Sequence, residues 1–425
     1  VATTGSAFDE KHLLVRGEAD LGERLRLDGT ASWSLRDTTG VDEGAGGAVY
    51  DRTGRLESVT LSLRPQLELA PGATLRLTAE GSWIADQLLQ DQRRATDNDR
   101  IDAVGEQLWN LGVQSDMRIG AHLLIVGAEA LLERMESDRF EDGVGTRNRI
   151  GVYVQDEWRV ADGLRLAPGV RVDAMEGVDP APAPRLAARW DPVDTVELRA
   201  SYGMAWRAPS FQEMLQRFEN TAVGYVVEGN PDLRPESSHG GTLGAVWKPA
   251  RTFRLGVELF RQEIDDLIAV VTLDPASADR GQRFGYVNVE RARTWGAETH
   301  ATIRPLRNLD LRFGYAFTDA RDRDTGAPLE GRAPHRASAA ATWRAFTTGT
   351  DASVRLVWVG ERPHGVGAEE RVDAPAYASL DAHLRQEVAA GVSLLAGGRN
   401  LLDEGDPTFL PIAPRTFYGG VSFRY

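Results

Sequence analysis

Histidine and cysteine, the residues that most often carry catalysis or bind metals, are sparse in this 425-residue chain. The seven histidines, at positions 12, 122, 239, 300, 335, 364 and 383, include no pair at the spacing of metal ligands. Cysteine is absent, which excludes thiolate catalysis, cysteine-ligated zinc and disulfides. We therefore predict no catalytic residue, no metal site and no cofactor, and we do not expect an enzyme.

Two acidic clusters and one glycine-rich stretch leave alternatives open. The clusters DNDRID (97–102) and DARDRDTG (319–326) carry carboxylate oxygens of the kind that bind calcium, but each lacks a complete ligand pattern. A solvated loop explains both more simply. The stretch EGAGGAV (43–49) has no helix after it to hold a phosphate, so it indicates a flexible loop rather than a nucleotide site.

Charge and hydropathy exclude further classes of protein. A net charge of -14 argues against nucleic-acid binding, which needs a surplus of Lys and Arg on one face. No segment approaches the roughly 18 consecutive apolar residues of a membrane helix, and no signal peptide follows Val1. The chain is therefore not expected to be anchored by a helix.

The dominant pattern along the chain has a period of two residues. In RLRLDGTASWSLR (24–36), apolar and small residues alternate with polar ones, as in a β-strand with one apolar face. We count roughly nineteen segments of this kind, and no helical period competes with them. The sequence therefore predicts an all-β fold.

The connections between these segments alternate in length. Short turns occur near residues 71, 120, 162, 192, 249 and 305, and long polar connections span 37–55, 87–106, 136–146, 212–237, 320–334 and 361–376. This asymmetry is typical of outer-membrane barrels, whose periplasmic turns are short and whose extracellular loops are long. A propeller or a sandwich has no reason to keep such alternation.

The two strand faces favour a membrane barrel over a large secreted or periplasmic β-protein. One face mixes Leu and Val with Ala and Gly, and the other carries charged and hydroxyl residues in nearly every segment, as expected for lipid outside and a hydrated lumen. Five tryptophans near predicted strand ends suggest interfacial girdles: Trp33, Trp83, Trp158, Trp206 and Trp358. We predict an antiparallel transmembrane β-barrel.

Five motifs then resemble a known family. They are YVQDEWRVADGLRLAPGVRVD (153–173), WRAPSFQEM (206–214), GNPDLRPESS (229–238), YVNVERARTWGAE (286–298) and the closing GRNLLDEGDPTFLPIAPRTFYGGVSFRY (398–425). In this order they resemble the barrel signatures of TonB-dependent outer-membrane receptors, across essentially the whole chain. The final strand ends on Tyr425, as in proteins recognised by the barrel-insertion machinery.

This sequence also differs from the pattern of the family that it resembles. Family members carry an N-terminal plug domain and a short motif for the energy-transducing partner, and their barrels close with about 22 strands. Neither plug nor motif is found in this sequence. With about 19 strands and periplasmic turns that are short, the first strand starts on the extracellular side. We therefore expect residues 1–425 to form the barrel, with the plug and the first strands missing.

The interval between WRAPSFQEM and the strand near Thr242 contains the candidate site residues, which are Arg207, Phe211, Glu213, Tyr225, Asn230 and Arg234. Arg207 shares the parity of Glu197 and Arg199, which directs it into the lumen. One interpretation is that Arg207 and Glu213 only pair with wall residues. The other, implied by the resemblance, is that these six residues contact the plug or the ligand.

The resemblance implies a receptor in the outer membrane of a Gram-negative bacterium. Its expected partners are outer-membrane lipid, the plug, the inner-membrane TonB complex and an extracellular ligand such as a ferric siderophore, without nucleic acid. Its function would be energy-coupled uptake of a scarce, bulky ligand. The alternative is a plugless passive pore, or a scaffold or adhesion barrel.

Overall fold

The computed structural model describes residues 7–43, 49–94, 96, 99–220, 225–274, 282–364, 372–405 and 414–423. These residues form one short helix, α1 (Phe211–Leu215), and many strands. The strands are β1 (Ala7–Leu21), β2 (Leu25–Glu43), β3 (Val49–Ala70), β4 (Ala73–Gln92), β5 (Arg100–Ile119), β6 (His122–Ser137), β7 (Val144–Ala161), β8 (Leu164–Met175), β9 (Val178–Val193), β10 (Val196–Arg207), β11 (Arg217–Asn220), β12 (Tyr225–Glu228), β13 (Glu236–Ala250), β14 (Phe253–Asp274), β15 (Gln282–Leu306), β16 (Leu309–Asp322), β17 (His335–Ala345), β18 (Thr350–Val359), β19 (Arg362–His364), β20 (Val372–Ala374), β21 (Tyr377–Ala389), β22 (Val392–Arg399) and β23 (Thr416–Phe423). Within this part of the chain, no helix is long and apolar enough to cross a membrane.

Nineteen of these strands form a single antiparallel meander. It runs from β1 to β10, continues through β13 to β18, and ends with β21 to β23, each strand pairing with the next. This confirms the predicted all-β meander of about nineteen strands. In the described residues no ladder joins β1 to β23, so the barrel is not closed.

Tight turns occupy one end of the sheet, as predicted. Gly163 illustrates the geometry, because its φ of +74° lies in the left-handed region that glycine adopts without strain. A Cβ at this position would also lie 2.6 Å from the backbone oxygen of Asp191 in β9. The residue type is therefore dictated both by its own turn and by its neighbour.

At the opposite end, strands replace much of the predicted loop. The predictions of loops at 37–55 and 87–106 are wrong in extent: β2 and β3 pair as far as Glu43 and Val49, and β4 and β5 pair as far as Gln90 and Arg100. Apolar and polar residues do not alternate regularly in these extensions, where Leu88 and Leu89 are adjacent, so the sequence pattern gave no signal, yet the backbone ladder continues. The glycine-rich residues 44–48, Asp97 and Tyr425 lie outside the described residues.

The alternation of short and long connections also has an exception. Only residues 176–177 separate β8 from β9, although this turn lies at the long-loop end.

The apolar side chains point away from the interior. Leu243 is 62% exposed and Phe313 46%, and none of the described large side chains is fully buried. The few buried apolar residues lie at the long-loop end, among them Tyr50, Phe140 and Leu233. A soluble protein of this size would bury a hydrophobic core, so this sheet requires an apolar surrounding.

All ten tryptophans share the outward parity and form two belts. The lower belt lies near the ends of strands at the short turns and consists of Trp158, Trp190, Trp247 and Trp343. The upper belt lies eight to eleven residues from the short-turn ends of its strands and consists of Trp33, Trp83, Trp109, Trp206, Trp295 and Trp358, whereas the lower belt lies two to three residues from those ends. The belts are thus five to nine residues apart, which at a rise of ~3.4 Å per residue and a tilt of ~40° is about 13–23 Å, within the ~25 Å apolar band of outer-membrane barrels.

The girdle prediction needs one correction. Trp33 and Trp83 were expected near strand ends but lie within β2 and β4, because both strands continue past the upper belt.

The inner face carries interlocking ion pairs. Arg171 bridges Glu129 of β6 at 2.7 Å and Asp173 of its own strand at 2.8 Å. Glu197 accepts from Arg189 at 3.2 Å and from Lys248 at 3.3 Å. Charged side chains thus line a polar interior, as the alternation predicted.

Candidate ligand-contacting loop at the mouth

The connection between β10 and β13, residues 208–235, is folded and is called the strap here. It contains α1 and the β11–β12 hairpin, apart from residues 221–224, which are outside the described part. Helix α1 starts because the Ser210 hydroxyl accepts from the Glu213 N–H at 3.2 Å, while the Glu213 carboxylate accepts from the Ser210 N–H at 2.6 Å. This capping box follows from the Ser-x-x-Glu spacing, a signal that the sequence analysis missed.

Arg207, the last residue of β10, holds α1 against the wall. Its two terminal nitrogens donate to the two carboxylate oxygens of Glu213, at 2.9 and 3.1 Å, and its Nε donates to Glu236 of β13 at 2.6 Å. Glu236 also accepts from the backbone N–H of Ile268 at 2.7 Å. One arginine therefore joins the helix, β13 and, through Glu236, β14.

The charge of Glu213 follows from these contacts. Burial raises the pKa of Glu213, but the hydrogen bonds from Arg207 and the Ser210 N–H outweigh burial and hold the pKa below its usual value. Glu213 is therefore ionised at neutral pH and contributes a full charge to the bidentate pair.

Phe211 fixes α1 to β7. Its ring lies where a side chain at Gly145 would be, since a Cβ there would come within 2.6 Å of Phe211 and 2.9 Å of Leu215. The Arg147 guanidinium lies 4.8 Å from the centre of the Phe211 ring and donates to the Pro209 carbonyl at 2.7 Å. The absence of a side chain at Gly145 therefore allows α1 to pack against β7.

The β11–β12 hairpin is held by two arginines that both contact the ring of Phe218. Arg100 and Arg139 lie 4.3 and 4.4 Å from the centre of this ring. Asp102, only 7% exposed, accepts from Arg100 at 2.7 Å and from Arg139 at 3.0 Å. Tyr225 packs between Phe218, at 5.9 Å, and Phe284, at 6.1 Å.

The far side of the strap is attached to β15. Strand β12 pairs in parallel with β15 from Tyr225 opposite Gln282 to Glu228 opposite Gly285. This edge of β15 is free because β16 pairs only from Ala292 onward. Strand β12 of the strap thus pairs with the edge of β15 that β16 leaves unpaired.

The Asn-Pro turn makes the last attachments. The Asn230 side chain donates to the Tyr286 carbonyl at 3.0 Å, and its backbone N–H donates to the Glu213 carbonyl at 2.8 Å. The Arg234 side chain donates to Asp266 at 2.5 Å, and its N–H donates to the Asn288 side chain at 2.8 Å.

The strap therefore connects β5–β7 with β15, two parts of the wall separated by several strands. The strap therefore lies at the long-loop end of the sheet and reaches past the strands between them. Of the six predicted site residues, the structure brings Arg207 and Glu213 into direct contact and joins Asn230 to them through the backbone, while Phe211, Tyr225 and Arg234 anchor other points. Sequence reasoning missed Arg100, Arg139 and Arg147, whose partners lie 62 to 119 positions away.

The acidic cluster at 319–326 is engaged in internal contacts. Asp319 accepts from Trp295 at 2.9 Å and from Arg321 at 2.8 Å, and Asp322 accepts from the N–H groups of Asp324 and Thr325. Across the described residues, no group of three His, Asp or Glu is placed to hold a metal ion.

Comparison with known proteins decides the family. A family model described as TonB dependent receptor-like, beta-barrel, matches residues 4–401. The chain belongs to the TonB-dependent receptor family. It is a barrel of the outer membrane of a Gram-negative bacterium, with its short turns on the periplasmic side, and this family consists of transporters rather than enzymes.

Individual relatives support the assignment. The chain is 26% identical over 304 residues to the iron-regulated outer membrane virulence protein of Vibrio cholerae, covering 67% of this chain and 46% of that protein. It is 27% identical over 213 residues to the vitamin B12 transporter of Vibrio vulnificus, covering 50% of this chain and 31% of that one. The chain thus spans less than half the length of these relatives.

Solved structures show the same fold. The ferric enterobactin receptor of Pseudomonas aeruginosa superposes with a TM-score of 0.79 at 15% identity, covering 98% of this chain and 70% of that one.

Proposed function

We propose that this barrel is the channel of a TonB-dependent receptor for the energy-coupled uptake of a scarce, bulky ligand, and that the ligand is a ferric siderophore or a similar metal chelate. Family membership supports the mode of uptake. The relatives and similar structures include an iron-regulated outer membrane virulence protein, a structure named as a ferric enterobactin receptor and one named as a siderophore receptor, which support the ligand class.

The strap is the observation that carries the proposal. It lies at the mouth and reaches from β5–β7 to β15, yet it is attached by side chains, ion pairs and one short ladder rather than by a hydrophobic core. Elements held in this way open at low free-energy cost, as ligand-binding loops must. A passive pore has no use for such an element at its entrance.

The candidate residues have different parts in this proposal. Arg234 and its strap neighbour Arg217 expose 70% and 69% of their side chains, so they meet an approaching anionic chelate first. Arg207, Phe211, Glu213, Tyr225 and Asn230 are engaged with the wall, so they reach a ligand or a plug only after the strap moves.

The open edges bear on the rest of the receptor. Unpaired backbone in hydrocarbon costs several kcal/mol per group, so β1 and β23 need partners in the membrane. We propose that further strands bridge these edges, that a plug domain occupies the charged lumen, and that the inner-membrane TonB complex acts through the plug. The alternative, a self-sufficient plugless pore or a scaffold, would require β1 to pair with β23.

Uptake assays in the producing bacterium test the proposal. Cells lacking the gene should lose accumulation of iron supplied as one class of ferric siderophore, and cells lacking TonB should show the same loss. Cobalamin and haem serve as parallel substrates that distinguish the ligand class. Uptake that persists without TonB would overturn energy coupling and favour the passive pore.

A further inference from the structure

The outer face of β9, β10 and β13–β15 contains a groove at the level of the upper tryptophan belt. It has a volume of about 910 Å³ and is called the Arg293 groove here. Its floor is formed by outward residues of the sheet, including Ala200, Gly241, Leu243, Leu259 and Ala297. Tyr202 and Trp295 rise on either side, because the small residues between them leave a depression. This volume is in the range of small-ligand pockets.

Successive rows of the sheet place charges at the top of this groove. Leu259 pairs with Ala297, the next outward row pairs Arg261 with Trp295, and the row above pairs Glu263 with Arg293. Arg261 lies eight residues above Phe253, the start of β14, which corresponds to a height of about 21 Å at a tilt of ~40°. The groove therefore crosses the boundary between the acyl region and the headgroups of the outer leaflet.

The arginines here exceed the carboxylates. Arg261 and Arg323 both bind the same carboxylate, that of Glu263, with Arg323 at 2.6 Å. The Nε of Arg293 is buried and has no hydrogen-bond partner among the described residues. Other outward arginines nearby are matched one to one, such as Arg321 with Asp319 and Arg291 with Asp324. Two guanidinium groups thus share the Glu263 carboxylate, and Arg293 is the ladder partner of Glu263 on β15, in a chain whose net charge is -14.

We propose that the Arg293 groove binds a phosphorylated lipid of the outer leaflet. The phosphate is held by Arg293, Arg261 and Arg323, and an acyl chain lies on the small-residue floor between Tyr202 and Trp295. Guanidinium groups bind phosphate in bidentate geometry, and an arginine at a membrane boundary gains most from an anion that arrives with its own apolar chain. The charge excess and the apolar groove lie in adjacent rows, so one amphipathic molecule satisfies both.

A matched pair of variants tests this site. Arg293→Gln removes the guanidinium whose Nε has no partner among the described residues, one row above Trp295, while Arg134→Gln removes an outward arginine one row above Trp109 that is already paired with Glu136 at 2.5 Å. The receptor is extracted from outer membranes in detergent, delipidated, and titrated with hexa-acylated lipid A carrying both phosphates. Native mass spectrometry counts the bound lipid.

We expect Arg293→Gln to weaken binding at least tenfold and Arg134→Gln to leave it unchanged. Ala297→Phe, which fills the floor and keeps every arginine, should also weaken binding. Dephosphorylated lipid A and inorganic phosphate should each bind the original protein far more weakly than the bisphosphate does. Equal binding by Arg293→Gln and the original protein, or equal binding of phosphorylated and dephosphorylated lipid, would overturn the site. Tight binding of inorganic phosphate alone would overturn the lipid as its occupant.

Discussion

Arg207 and Glu213 form a bidentate ion pair, with both donor–acceptor distances between 2.9 and 3.1 Å, that fixes α1 to the end of β10. The same guanidinium binds Glu236, so loss of Arg207 leaves two carboxylates without their shared cation. Arg207 therefore joins the strap to both β10 and β13.

Arg207→Gln should release α1 from the wall. A spin label at Gln212, introduced as the sole cysteine of this sequence, should become more mobile. The reason is that α1, which carries this exposed residue, is no longer held against the wall. A double-mutant cycle with Glu213→Gln should give a coupling of about 1–2 kcal/mol for this partly exposed pair. Arg64→Gln, which breaks an inner-face pair with Glu80 remote from the strap, should leave the label unchanged. Unchanged mobility in Arg207→Gln would contradict the role of this pair.

Phe218→Leu should loosen the β11–β12 hairpin, because the ring that Arg100 and Arg139 contact is lost. Each cation–π contact contributes about 0.5–1 kcal/mol at an exposed site. A label at Glu219 reports the change. Phe8→Leu is the control, since Arg36 lies 4.9 Å from that ring at a site far from the strap. Equal effects of the two substitutions at Glu219 would argue against the role of these contacts.

Acidification should detach α1. The pKa of Glu213 is below its usual value, so the ion pair contributes its full stability above the unfolded value of about 4.3 and loses it as the pH falls through the folded value. The label at Gln212 should therefore gain mobility below about pH 4 and be constant from pH 5 to 8. With Glu213→Gln the label should be mobile throughout. A transition near pH 6 instead would assign the change to another group.

Phe313→Arg should destabilise the barrel by about 2–4 kcal/mol, because a charge would replace an outward side chain facing hydrocarbon. Arg312→Ala, at the adjacent inward position, should cost less than about 1 kcal/mol, since its pair with Asp310 is solvent-exposed. Unfolding by denaturant in lipid vesicles measures both. If Arg312→Ala cost more than Phe313→Arg, the two faces would have been assigned the wrong way round.

A protease site inserted at Thr325 should be cleaved on intact cells, because the β16–β17 connection lies at the extracellular end. The same site inserted at Asp162, in the tight turn after β7, should be cleaved only after the outer membrane is opened. Immunoblotting of the fragments distinguishes the two. The reverse pattern would place the short turns outside.

Much of this architecture was predictable from the sequence because its signals are local. Side-chain alternation in a strand depends on adjacent residues alone, so the strands, their two faces and the tight turns were recognisable from windows of about ten residues. Trp295 shares one face of β15 with Arg293 and Ala297 because residues two positions apart in a strand point the same way, and no tertiary information is needed for that.

Only the tertiary structure decided which distant segments of the chain contact each other. Phe211 meets Gly145, and Phe218 meets Arg100, through contacts that join positions far apart in sequence, so no local pattern predicts them. The extensions of β2 and β4 past the upper tryptophans were missed for a related reason. Outside the membrane neither face needs to be apolar, and the ladder is held by backbone groups that every residue has. Likewise the excess of charge around Arg293 exists only because β14, β15 and the end of β16 stand side by side.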